Sequence, residues 1–121
     1  MGKGSYSMKL LIAILNDPDS VTDILDEFYQ KNIRGATVMD SMGMAHIMAH
    51  QVPFFSRFAE FGEDPERNKT IFAVVNSDAE RKTAVAAIEA IIGDLDESDT
   101  GIVITLPIDY CKGLAKLKGD E

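Results

Sequence analysis

The stretch that decides the fold runs from Arg34 to Asn68, RGATVMDSMGMAHIMAHQVPFFSRFAEFGEDPERN. Its first part, residues 35–40, reads as a strand: a glycine, then small, β-branched and apolar residues up to an aspartate. The chain then passes through Ser41-Met42-Gly43-Met44 into a long excursion, and the next strand pattern starts only near Lys69. Both histidines, His46 and His50, lie in this excursion, as do four of the six phenylalanines. A connection of this length between strands of a small domain usually carries a function.

The flanking sequence supplies the remaining elements. Upstream, KLLIAIL at 9–15 is a short apolar strand, stopped by the turn residues Asn16-Asp17-Pro18-Asp19. A helix is predicted over 20–32, because Val21, Ile24, Leu25, Phe28 and Tyr29 recur on one helical stripe. Asp19 or Ser20 can cap its free N–H groups, Asp23 suits the positive helix end, and Asn32 is a suitable stop. Within the excursion a short helix is predicted over 53–61, with Pro53 at its first position, Gly62 just past its end, and Phe54, Phe55, Phe58 and Phe61 on one face.

Downstream, KTIFAVV at 69–75 is the third strand. A second long helix is predicted over 78–92, opened by a capping box of Ser77 and Glu80, carrying a stripe of Val85, Ile88, Ile91 and Ile92, and closed by Gly93. An acidic loop leads to the fourth strand, GIVITLPI at 101–108, and the tail to Glu121 is polar. The order β-α-β-(excursion)-β-α-β is an α+β, ferredoxin-like βαββαβ sandwich with a long insertion between the second and third strands. Residues 8–121 are read as one domain, and residues 1–7 as a leader or tag remnant ahead of a native start at Met8.

Two helices cover only one face of a four-stranded sheet, yet LLIAIL, IFAVV and IVI are apolar on both sides. A sheet with two apolar faces needs both covered. Either the phenylalanine-bearing helix folds back, or further subunits cover the open face.

Composition narrows the function classes. The chain has 121 residues and a net charge of −8, which argues against free nucleic acid and anionic membrane as partners. The one cysteine, Cys111, excludes an internal disulfide and fits a reducing compartment. No apolar run reaches the length of a membrane span. The expected location is the cytoplasm. Cys111, beside Lys112, is read as a small packing residue with no catalytic role. No nucleophile motif or glycine-rich phosphate loop is visible, and the reading is of a protein that is not an enzyme.

These residues carry a resemblance. Asp17-Pro18 through Ala45 is similar to the first half of a nitrogen regulatory PII protein: the proline after the first strand, the helix, Ile33-Arg34-Gly35-Ala36-Thr37-Val38, and Gly43. Lys69 to Ile108 resembles the second half in element order and apolar pattern. The resemblance implies a homotrimer whose open sheet faces pack together. It also implies adenine nucleotides bound in clefts between subunits, and a loop after strand two that regulates a protein target, a transporter or an enzyme. The cofactor-binding residues it implies are Thr37, Gly43, Met44, Gly101 and, as the nearest basic residue after strand four, Lys112.

The chain also departs from the PII pattern. Ala45 stands where a glycine usually follows, and the excursion contains no tyrosine. The loop before strand four reads Gly93-Asp94-Leu95-Asp96-Glu97-Ser98-Asp99-Thr100, with four acids and no base. Carboxylates beside a triphosphate repel it unless a metal bridges them.

Two other readings stay open. His46 and His50 stand at i, i+4, one face of a helix, interleaved with Met44 and Met48. That is a two-ligand start for a divalent metal such as zinc, in a trimer of the CutA type. The third reading is a small ferredoxin-like enzyme with the 41–68 segment as a lid and His46 or His50 as general base. The acid run at 94–99 lacks the glycine and distal glutamate of a calcium loop and is read as a solvated turn.

Overall fold

The computed structural model describes residues 8–48, 68–97 and 100–114. The expected helix over 53–61 with its four phenylalanines, His50, residues 1–7 and the end of the tail lie outside the described residues.

Strand β1 is Lys9–Leu15, β2 is Ala36–Ser41, β3 is Asn68–Val75 and β4 is Gly101–Pro107. Helix α1 is Val21–Gln30, α2 is the single turn Met44–Ile47, and α3 is Asp78–Ile92. The strands form one antiparallel sheet in the order β2-β3-β1-β4. Strand order and two helices on one face make this the ferredoxin-like βαββαβ sandwich, with residues 42–67 intervening between β2 and β3.

The core lies between sheet and helices. Leu11, Ala13 and Leu15 of β1 and Ile71, Ala73 and Val75 of β3 point into it, each essentially without solvent contact. Val21, Ile24 and Phe28 of α1 meet them from above. Tyr29, expected on that stripe, is instead exposed, and the Arg34 guanidinium stacks over its ring at 4.4 Å. In α3 the buried residues are Ala84, Ala87 and Ile88, with Val85, Ile91 and Ile92 partly covered. Of the expected stripe Ile88 is fully buried, while Val85, Ile91 and Ile92 lie toward the helix margin because the small Ala84 and Ala87 sit at the closest contact.

The helix ends follow local chemistry. The Ser77 hydroxyl accepts the Glu80 N–H at 3.0 Å, and the Glu80 carboxylate accepts the Asn76 N–H at 2.7 Å, one residue earlier than in the usual reciprocal box. At the start of α1 the cap shifts outward. Asp17, not Asp19 or Ser20, accepts the first free N–H, from Asp19 at 3.1 Å, and opens a short 3-10 turn over Pro18–Ser20. The Ser20 hydroxyl donates to the Asp17 carbonyl at 2.7 Å. At the far end Asn32 adopts a left-handed φ of 67°, and the Ile33 N–H reaches the Phe28 carbonyl at 2.8 Å. This closes the helix and turns Ile33 into the core.

Among the described residues no helix lies on the second sheet face. Leu10, Ile12 and Ile14 alternate with the buried residues of β1, and the ladder sets Ile12 between Phe72 of β3 and Ile104 of β4. Thr37 stands beyond Phe72. The next rows read Met39, Thr70, Ile14, Ile102 on one side and Val74, Leu10, Leu106 on the other. Ile102, Ile104, Leu106 and Met39 are exposed.

Candidate functional site

The excursion leaves the sheet from a fixed base. Ser41 pairs with Asn68 at the end of the β2–β3 ladder. The Ser41 and Thr70 hydroxyls share a hydrogen bond of 2.8 Å, and the Lys69 ammonium pairs with Asp40. Gly43 lies so close to Asn68 that a Cβ there would come within 3.2 Å of the Asn68 amide nitrogen. Helix α2 follows at once, its last turn closed by the Met48 N–H on the Met44 carbonyl at 2.9 Å. Met42, Met44 and Ile47 are exposed here beside Met39 of β2, giving a soft, adaptable apolar surface at the root of the excursion.

The residues implied by the family resemblance divide between the two sides of the sheet. Thr37 lies on β2, exposed on the open face, with Gly43 and Met44 just beyond that strand. Gly101 starts β4, and Lys112 follows it, exposed. Strands β2 and β4 are opposite edges, so three strand spacings, about 14 Å, separate the two groups. One protomer therefore does not bring these residues into a single pocket. Among the described residues no group of three or more histidine, cysteine or acidic side chains is placed to hold a metal ion. His46 falls in α2, but His50 lies outside the described residues, so their expected pairing on one helical face has no structural description. Cys111, read as a packing residue, is exposed instead.

A concave site that the motif reading missed lies on the helix side of β4. It is an open cleft of about 370 Å³ between α3, the loop that follows it, and β4. Arg81, Val85 and Glu89 come from α3, Leu95 and Asp96 from the loop, and Gly101, Ile102, Val103 and Thr105 from β4, so Gly101 of the family-implied set lies here. The i, i+4, i+8 spacing on α3 is legible in sequence. That this flank borders the edge strand is a consequence of strand order.

Its charges are fixed by short contacts. The Arg81 Nε–H donates to Asp78 at 2.9 Å. This bond and the attraction behind it hold the Asp78 carboxyl below the usual carboxylate range and raise the Arg81 guanidinium above its ordinary value. Glu89 accepts the Leu95 N–H at 2.9 Å, and Asp94 accepts the Asp96 N–H at 2.9 Å, which folds the acidic loop back on itself. Asp94, Asp96 and Glu97 are exposed, in keeping with a solvated turn.

The fold so described is that of the PII type. A PII protein of Arabidopsis thaliana bound to citrate superposes with a TM-score of 0.58 at 21% identity, covering 84% of this chain and 78% of that one. A functionally unknown protein from Pediococcus pentosaceus superposes with a TM-score of 0.60 at 19% identity, covering 88% of this chain and 97% of that one. At such identities the likeness is one of fold. No family model and no curated protein sequence matches the chain.

Proposed function

We propose that this protein is a PII-like trimeric regulator. It senses a small molecule, an adenine nucleotide being the first candidate, in clefts between subunits and acts on a protein target through the 41–68 segment. The observation that carries the reading is the sheet face that no described helix covers, a largely apolar surface from Leu106 across Leu10, Ile12 and Phe72 to Met39. Surfaces of that kind mark sites of association. The division of Thr37, Gly43 and Met44 from Gly101 and Lys112 supports the same reading, since one protomer leaves the two groups at opposite edges of its sheet. In this proposal residues 8–121 act as one cytoplasmic domain.

The test is light scattering combined with a thermal-shift screen of ATP, ADP, AMP, cyclic nucleotides, 2-oxoglutarate, bicarbonate, zinc and copper. A ligand specific for the native state adds about 2.7 kcal/mol at one hundred times its Kd. The expected result is a trimer stabilised by at least one of the organic effectors. A monomer or dimer overturns the reading. A trimer that answers only to zinc or copper, and no longer does so as His46→Ala, replaces it with the metal-binding alternative.

A further inference from the structure

The flank of α3 and the outer edge of β4 form a groove that the sensor reading touches only at Gly101, and its charges are ordered along its length. Strand β4 is outermost in the sheet and pairs with β1 alone among the described residues. Its other edge offers backbone donors and acceptors to an added strand. On α3, Arg81, Val85 and Glu89 stand four residues apart, and a rise of 1.5 Å per residue puts Arg81 about 12 Å from Glu89. On β4, Gly101, Val103 and Thr105 face the helices, and at 3.4 Å per residue they span about 14 Å. The two rows therefore match in length.

They also run in opposite directions, because the chain turns from the Glu89 end of α3 into the Gly101 end of β4. Glu89 and Asp96 lie at the Gly101 end, and Arg81 lies at the Thr105 end. The middle is apolar, lined by Val85 and Val103. A strand laid beside β4 repeats at the same 3.4 Å. Its side chains at i, i+2 and i+4 fall at these three levels.

We propose that this groove docks an extended peptide segment of another protein as a fifth strand, with a basic side chain at the acidic end, an apolar one in the middle and an acidic one at the Arg81 end. Charge complementarity selects this occupant. Glu89 uses one carboxylate oxygen on the Leu95 N–H, which leaves the other for an incoming ammonium. Arg81 gives its Nε–H to Asp78, and a guanidinium has further donors for an incoming carboxylate. The proposal shares Gly101 with the sensor reading but does not rest on it, since the apolar face that carries that reading is the opposite side of the sheet.

The test uses nine-residue peptides of threonine with lysine, valine and glutamate at the third, fifth and seventh positions, in both chain directions. The controls carry lysine, or glutamate, at both outer positions. Binding to the full chain is followed by fluorescence anisotropy and located by amide NMR shifts. The expected result is that one mixed-charge peptide binds several-fold tighter than either control and shifts β4 amides. Arg81→Glu makes the groove acidic throughout, and its preference moves to the doubly basic peptide. Circular dichroism confirms that the variant is folded. Saturation by none of the peptides, a preference unchanged in Arg81→Glu, or shifts confined to β2 overturns the proposal. So does a β4 edge already occupied by a second copy of this chain.

Discussion

Replacing Ile104 by aspartate puts a carboxylate midway along the edge strand β4, on the sheet face that no described helix covers. Ile104 is 39% exposed; Ile102 and Leu106 on the same strand are 51% and 47% exposed, and Met39 at the opposite edge of the face is 47% exposed. Full burial of an aliphatic side chain contributes about 1.5–3 kcal/mol, so covering what Ile104 leaves wet is worth roughly 1 kcal/mol per subunit. Covering all four side chains is worth about 3–5 kcal/mol per subunit by the same scaling. In a trimer that closes this face, Ile104→Asp loses its share of that gain. It also strips water from three carboxylates at a cost of several kcal/mol each, a total on the order of 10 kcal/mol. In a lone protomer the same carboxylate stays in water on an edge strand, and the cost is about 1 kcal/mol. The expected outcome is a folded monomer. Light scattering reads the mass, and circular dichroism with a thermal melt reads the fold, with Ile104→Val as a control that keeps the trimer. An Ile104→Asp protein that is folded and still trimeric refutes the assignment of this face to a subunit interface.

Further outcomes follow from the core, the backbone and the charges. Ile88 is fully buried beneath α3, and Ile88→Ala is expected to lower unfolding free energy by about 2–5 kcal/mol in urea titration; a loss below about 1 kcal/mol contradicts its packing. A Cβ on Gly101 would meet the Ile14 carbonyl oxygen at 2.7 Å, whereas one on Gly93 meets nothing within 4 Å. Both glycines have positive φ, so Gly93→Ala carries only the conformational penalty of about 1–2 kcal/mol, and Gly101→Ala is expected to be the more damaging of the two in the same titration. Asp78 has a folded pKa below its unfolded one, so its pairing with Arg81 adds stability that is complete above the unfolded value and lost as pH falls below about 4. Asp78→Asn is expected to flatten the acid limb of the stability–pH curve slightly, the pair being exposed, and a steeper limb would contradict this sign.

Much of the fold was legible because local chemistry and pattern agree. The bounds of β1 and α3 were set by an apolar run ended by turn residues and by a Ser77–Glu80 cap ended at Gly93. The start of α1 at Val21 was legible to within one residue, with Ser20 at the N-cap position, but the side-chain cap was not, because Asp17, Asp19 and Ser20 are all competent and only the 3-10 turn selects Asp17. Tyr29 was assigned to the core because periodicity counts its ring as apolar and has no knowledge of Arg34 stacked on it.

By itself the sequence determined the element order, the second apolar face and the absence of basic residues from the loop before β4, since each depends on residue type and spacing within a few turns of chain. Only the tertiary structure decided which residues share a surface. It put Thr37 and Gly101 on opposite edges, separated by β3 and β1, and it set the Arg81–Glu89 flank of α3 against β4, the outermost strand among the described residues. The physical reason is strand order. Pairing β1 between β3 and β4 is a long-range choice made by burying Leu11, Ala13 and Leu15 at the centre, and no local pattern encodes which edges that leaves open.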